Sequence, residues 1–182
     1  YEISLGLVGS EMCIRDSAGT PDADEFTWEM EYDTEGHLVV MKRSESDGEI
    51  TNITYKDGDV VKTSTRYVAS GDLNGDGIID SNDEWEYSAA IDYTTDNITA
   101  PIENKGCLML FDEILDVDMD EMIYAYYGGM LGKATKHLPL VGHYTYNGED
   151  SVSDMYFTWT LNSDSYPTEL VVKDQWDEYR CT

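Results

Sequence analysis

FTWEMEYDTEGHLVVMKR, Phe26 to Arg43, decides the fold. Phe26, Trp28, Met30 and Tyr32 fall on one side of an extended chain, and Thr27, Glu29 and Glu31 fall on the other. Alternation of this kind marks a strand with one face buried and one face in water. Asp33-Thr34-Glu35-Gly36 supplies turn formers, after which HLVVMKR returns as a partner. The same grammar continues outward. In EITNITYK, Thr51, Ile53 and Tyr55 oppose Ile50, Asn52, Thr54 and Lys56; Asp57-Gly58-Asp59 is a tight hairpin signal, and DVVKTSTRYVA follows it. In EWEYSAAIDY, Trp85, Tyr87, Ala89, Ile91 and Tyr93 share strand spacing. Later strand candidates are GCLMLF, HYTYN, DMYFTWTL and YPTELVVKD. The expectation is a mainly β protein, an antiparallel meander forming a curved sheet or a barrel-like fold.

One helix is expected in that meander, over about 118–132. Asp118 and Glu121 have the spacing of a capping box, and Met119, Met122, Ile123, Tyr126 and Met130 recur at helical intervals. Gly128, Gly129 and Gly132 weaken or end it. A methionine stripe suits an adaptable binding face, but packing onto the sheet is the simpler use.

Residues 1–17, YEISLGLVGSEMCIRDS, resemble the translation of a sequencing adapter. Glu2 and Glu11 stand where a signal peptide would be basic, and no clean apolar core follows. The expected organisation is therefore a non-native segment, 1–17, and one β-rich domain, 18–182, truncated at its N-terminus. Setting 1–17 aside takes the formal charge from -27 to -25, since three acids and one base leave.

Hydrophobic content of 41% and aromatic content of 12% are too high for a disordered acidic tail, so the charge is a solvated surface on a folded body. Such a surface repels phosphate backbones and anionic lipid heads and attracts cations. Nucleic acid is excluded as a partner on that ground. No run of eighteen apolar residues occurs, so no transmembrane helix is expected. Cys107 and Cys181 are either a pair or two thiols, and their spacing does not decide between these.

DLNGDGIIDSND, Asp72 to Asp83, is the most chemically specific stretch. Calcium takes six to eight oxygen ligands, and the twelve-residue loop supplies them from positions one, three, five, seven, nine and twelve. Those positions hold Asp72, Asn74, Asp76, Ile78 (through its carbonyl), Asp80 and Asp83. Position six needs a sharp turn and is Gly77; position eight is Ile79, an aliphatic that can pin the loop to a core. Asp at twelve with Asn at three resembles the dockerin version of the loop, with Glu84 available as a helper outside the ring. A dockerin has two such loops, each followed by a leucine-rich helix. This protein has one, followed by strand pattern, so cohesin binding is not implied. The expected cofactor is Ca2+ in a structural role, at the millimolar affinity of extracellular modules.

YAYYGGMLGKATKHLP, a Tyr-rich strand and then SYPTELVV resemble the C-terminal part of an uncharacterised envelope family of gut Bacteroides-type bacteria with a porin-like β fold. The resemblance implies an exported protein, periplasmic or at the cell surface and often lipid-anchored, and it supplies no catalytic residue.

Enzyme signatures are missing from the sequence. GGMLGKAT is one residue short of a phosphate loop and has Ala134 where Ser or Thr must hold magnesium. His37, His137 and His143 stand in no HExxH or Cys/His pattern, and there is no Gly-x-Ser-x-Gly elbow. NIT at Asn52 and Asn97 is a glycan acceptor only in a eukaryotic secreted protein. The leading expectation is a non-enzymatic envelope module that binds a glycan, peptide or envelope protein through aromatic sheet faces. A hydrolase working with paired carboxylates and a purely structural surface component are the alternatives.

Overall fold

The computed structural model describes residues 10–15, 25–44, 48–68, 71–80, 82–106, 125–147 and 153–181. The strands are β1 (Ser10–Arg15), β2 (Glu25–Tyr32), β3 (Leu38–Arg43), β4 (Ile50–Lys56), β5 (Asp59–Val68), β6 (Glu84–Asp92), β7 (Ile102–Glu103), β8 (His137–Leu138), β9 (Val141–Tyr146), β10 (Ser153–Leu161), β11 (Pro167–Lys173) and β12 (Glu178–Cys181). Ten of them form one antiparallel sheet in the order β1-β2-β3-β4-β5-β6-β9-β10-β11-β12, and β7 and β8 form a separate ribbon. The sheet is open, with β1 and β12 at its edges. β1 falls inside the adapter-like segment and pairs with β2 from Ser10–Met30 to Arg15–Glu25.

Two meanders make the sheet. The backbone runs β1 to β6, leaves after Asp92, and returns as β9 against β6, with Ala90 opposite His143. It then continues as β9 to β12. Alternation fixes which face is buried. Trp28 and Met30 on β2, Thr51 and Ile53 on β4, Ala89 and Ile91 on β6, Phe157 on β10 and Leu170 and Val172 on β11 all turn inward. These apolar side chains belong to one buried cluster running from β2 to β11, with Tyr32, Tyr55, Tyr87, Met155 and Trp159 packed against it. At about 4.8 Å per strand, a flat sheet would spread β2 and β11 about 34 Å apart. Coiling of the twisted sheet turns this face inward.

Hairpin chemistry behaves as the composition demands. Asp57 (φ 56) and Gly58 (φ 90) both take positive φ, the type I′ geometry that matches strand twist. Thr51 and Thr65 face each other in the core and share a hydroxyl hydrogen bond of 2.9 Å.

The return segment, 130–140, lies along the ends of the hairpins. Gly132 bridges His37, the Lys133 amide donates to the Gly36 carbonyl (3.0 Å), and the Lys136 amide donates to the Gly58 carbonyl (2.9 Å). Its own Leu131, Leu138 and Leu140 are buried. A Cβ on Gly132 would sit 2.8 Å from the Leu38 nitrogen and 2.9 Å from the Gly36 oxygen, and its φ is +71. Only glycine fits.

The helix expected over 118–132 is shorter at its C-terminal end. Residues 125–127 are helical, 128–131 turn, and 118–124 lie outside the described residues. Gly129 at φ +70 takes its amide back to the Tyr126 carbonyl (3.0 Å), which ends the helix before Met130. Tyr126, expected on the packed stripe, is exposed, whereas Ala125 and Leu131 are buried. GCLMLF and Cys107 lie outside the described residues, and Cys181 is an exposed thiol on β12. Among the described residues no helix is long and apolar enough to cross a membrane.

Candidate functional site

Three constellations concentrate chemistry. The first is the connection between β5 and β6. Asp72 accepts from the Gly75 amide (2.6 Å) with Oδ1 and from the Gly77 amide (2.8 Å) with Oδ2. Asn74 Oδ1 accepts from the Asp76 amide (2.9 Å), Asp76 Oδ1 from the Ile78 amide (2.8 Å), and Asp80 Oδ1 from the Asn82 amide (2.8 Å). The short polar side chains thus fold back onto the backbone two to five residues ahead, which winds the loop tightly. Gly75 (φ 78) and Gly77 (φ 83) make the left-handed steps. Position six is the turn expected of it.

Asp83 closes the loop from within. Its side chain is fully buried, with Oδ1 accepting from Leu73 (2.8 Å) and Asn74 (3.1 Å) amides and Oδ2 from the Asp80 amide (2.9 Å). Those amides, the Asp80 one foremost, hold its carboxyl below the usual range against the opposing effect of desolvation. The first and last positions of the loop therefore organise its backbone, and the strand after Asp83 is β6. The carboxylate oxygens are engaged by the loop's own amides. Among the described residues no three His, Cys, Asp or Glu side chains lie closely enough together to hold a metal ion.

Two details differ from what the sequence leads one to expect. Ile79 is 59% exposed and does not pin the loop; Leu73 and Ile78 are exposed beside it. The buried carboxylate of Asp83 instead holds the loop closed on itself through the Leu73, Asn74 and Asp80 amides. Glu84, expected as an outside helper, pairs with Arg66 across β5 and β6.

The second constellation is a set of His–Asp pairs that no motif announces. His37 Nδ1 meets Asp33 Oδ2 at 2.9 Å, and its ring stacks on Tyr55 at 4.5 Å. His137 Nδ1 meets Asp59 Oδ2 at 2.7 Å, while Asp59 Oδ1 accepts from the His137 amide (2.8 Å) and the Thr135 hydroxyl (3.1 Å). Tyr93 completes this buried network through Val60 O and Thr135 Oγ1, both 2.8 Å away. Burial drives the Tyr55 and Tyr93 phenols far above their usual range. His143 lies between Asp154 (2.8 Å) and Asp92 (3.2 Å), joining β10 and β6 across β9. The Asp154 hydrogen bond is the main cause that raises its pKa. All three pairs serve as ties between strands and turns.

The third is aromatic. Trp85, Tyr87, Tyr144 and Tyr146 line β6 and β9, with ring centroids 5.9 Å apart for Trp85–Tyr146, 4.9 Å for Tyr87–Tyr146 and 5.6 Å for Tyr87–Tyr144. Tyr144 is buried, while Trp85, Tyr87 and Tyr146 are more open, toward the end of the sheet that carries the Asp72–Asp83 loop. Strand alternation brings these rings onto one face, and the β6–β9 pairing brings them together.

Comparison with known proteins agrees with this architecture. Residues 12–169 match the family model of a domain of unknown function (DUF4595) with porin-like fold. A porin-like protein from Bacteroides vulgatus ATCC 8482 is similar in structure, with a TM-score of 0.59 and 18% identity over 92% of this chain and 67% of that one. A porin-like protein from Bacteroides uniformis ATCC 8492 aligns at 16% identity over 96% of this chain and 94% of that one, with a TM-score of 0.35. No curated protein matches.

Proposed function

The chain belongs to the DUF4595 family of porin-like fold, and from that premise we propose that it is a non-enzymatic, exported cell-envelope module whose β5–β6 connection is a structural calcium site. The observation that carries this reading is the loop itself: two glycines in left-handed conformation, oxygens of Asp72, Asn74, Asp76 and Asp80 that wind the loop by accepting from its own amides, and a fully buried Asp83; these side chains would have to turn from those amides to converge on an ion. Asp72, Asn74, Asp76, Asp80 and Asp83 and the Ile78 carbonyl would hold the ion. It would neutralise carboxylates crowded into one turn, and a set made of oxygen alone suits a hard cation. The dockerin-like loop works here as a clasp between neighbouring strands.

The half-exposed rings of Trp85, Tyr87 and Tyr146 next to that clasp support a binding role toward a glycan, a peptide or an envelope protein. Export, with a lipid anchor, is supported by the family resemblance, and a calcium site of millimolar affinity would suit the outside of the cytoplasm. The sequence of residues 1–17 supports an adapter origin, whereas the pairing of Ser10–Arg15 with β2 and a family match that begins at residue 12 count against it for 10–17.

The test is thermal unfolding of chelator-treated protein with and without millimolar calcium. A rise in melting temperature that Asp83→Asn abolishes supports the clasp. Equal melting temperatures in the two conditions remove it.

A further inference from the structure

We propose that Asn74 is a deamidation site whose reactivity is gated by Asp72. Asn74 and Gly75 are both exposed in the β5–β6 connection. Glycine after asparagine leaves the backbone nitrogen unhindered, because no Cβ crowds its approach to Cγ of the carboxamide. In the reaction, the Gly75 amide nitrogen loses its proton and bonds to Cγ of Asn74. The Cγ–Nδ2 bond of the carboxamide breaks, ammonia leaves, and a succinimide ring forms. One water molecule then opens the ring at either carbonyl, giving aspartate or a β-linked isoaspartate.

The loop holds both reacting groups away from this path. The Gly75 N–H, whose proton must leave, is donated to Asp72 Oδ1 at 2.6 Å. The carboxylate charge opposes formation of a second negative charge on that nitrogen. Asn74 Oδ1 accepts from the Asp76 amide at 2.9 Å, which restrains the carboxamide from rotating onto Gly75. Asp72 is itself fixed through its other oxygen by the Gly77 amide at 2.8 Å. An exposed Asn–Gly pair is thus stable while Asp72 is in place and becomes reactive when the loop opens. Conversion at Asn74 puts a new carboxylate at the third loop position, or lengthens the backbone there by one atom. The gate needs no bound ion; because Asp72 and Asn74 also belong to the proposed calcium site, the incubations are run in chelator so that the outcome does not depend on the calcium reading.

The experiment is peptide mapping by mass spectrometry of folded protein, urea-unfolded protein and folded Asp72→Asn after equal incubation. The second Asn–Gly pair in the sequence, Asn147-Gly148, serves as an internal reference. A hydrogen bond to a charged acceptor is strong enough to slow Asn74 conversion about ten-fold in the folded protein relative to the unfolded one. Asp72→Asn is expected to remove most of that protection while the Asn147 rate stays at its folded value. Conversion of Asn74 at the unfolded rate in the folded wild type overturns the proposal. So does an unchanged Asn74 rate in folded Asp72→Asn.

Discussion

Replacing Asp59 by alanine tests how the return segment is held to the sheet. Asp59 begins β5, is 9% exposed, and accepts from the Thr135 hydroxyl, the His137 amide and His137 Nδ1. Alanine strands all three donors. The His137 side chain is 21% exposed and can recover a water, so the lasting cost falls on the buried hydroxyl and the backbone amide. Hydrogen bonds to a charged group contribute about 1.5–3 kcal/mol each, which puts the loss of these two in Asp59→Ala at about 3–6 kcal/mol. For a domain of this size that lowers the melting temperature by about 6–24 °C. Asp59→Asn keeps one carbonyl acceptor, and a tautomer change lets His137 Nδ1 accept from the new amide, so about half the loss is expected. Urea and thermal unfolding followed by circular dichroism measure both. If Asp59→Ala stays within about 0.5 kcal/mol of wild type, the network is ornamental and the return segment is held by its backbone hydrogen bonds and by Leu131, Leu138 and Leu140.

Other outcomes follow from the same geometry. Gly132→Ala forces a Cβ against the Leu38 nitrogen and Gly36 oxygen at positive φ; at least about 1–2 kcal/mol of stability should be lost in urea titration, and a neutral result would refute the close approach. The folded-state pKa of His143 lies above its unfolded value, so its contribution is complete below about pH 6.5 and disappears as pH rises through the folded value. With its side chain 39% exposed, the gain is at most about 0.5 kcal/mol, read as a gap between wild type and His143→Gln at low pH that closes in alkali. A gap that widens with pH would reverse the assignment. Ile79→Ser should change stability by less than about 0.5 kcal/mol, because the side chain is already exposed. A large loss would show that it does pin the loop.

Much of the sheet was legible in the sequence because a period of two is unambiguous where one face is buried. Trp28 and Met30, Thr51 and Ile53, and Ala89 and Ile91 each declare their side. Asp57-Gly58 likewise announces its turn, since few residues take positive φ twice in succession. β12 (Glu178–Cys181) carries no such signal because all four residues are exposed, and β7 and β8 are too short to show a period. The helix expectation overran its end because apolar residues at Met130 and Leu131 keep helical spacing after Gly129 has already reversed the backbone. Within the loop, the glycines and the acids at fixed offsets were readable, since local backbone geometry dictates them. The exposure of Ile79 is not legible, because a sequence does not say whether a core lies within reach. The Asp59–His137 and Asp154–His143–Asp92 ties were invisible for another reason. They join residues brought together by strand order and the return segment, and no local spacing encodes that.

The most direct measurement is a calcium titration of chelator-stripped protein followed through the backbone amide signals of Gly75, Gly77 and Asp83 by NMR. Saturable shifts confined to 72–84, with a dissociation constant of about 10⁻⁴–10⁻³ M, are the predicted result. Loop signals that stay still while scattered surface acids drift without saturation would contradict the calcium clasp.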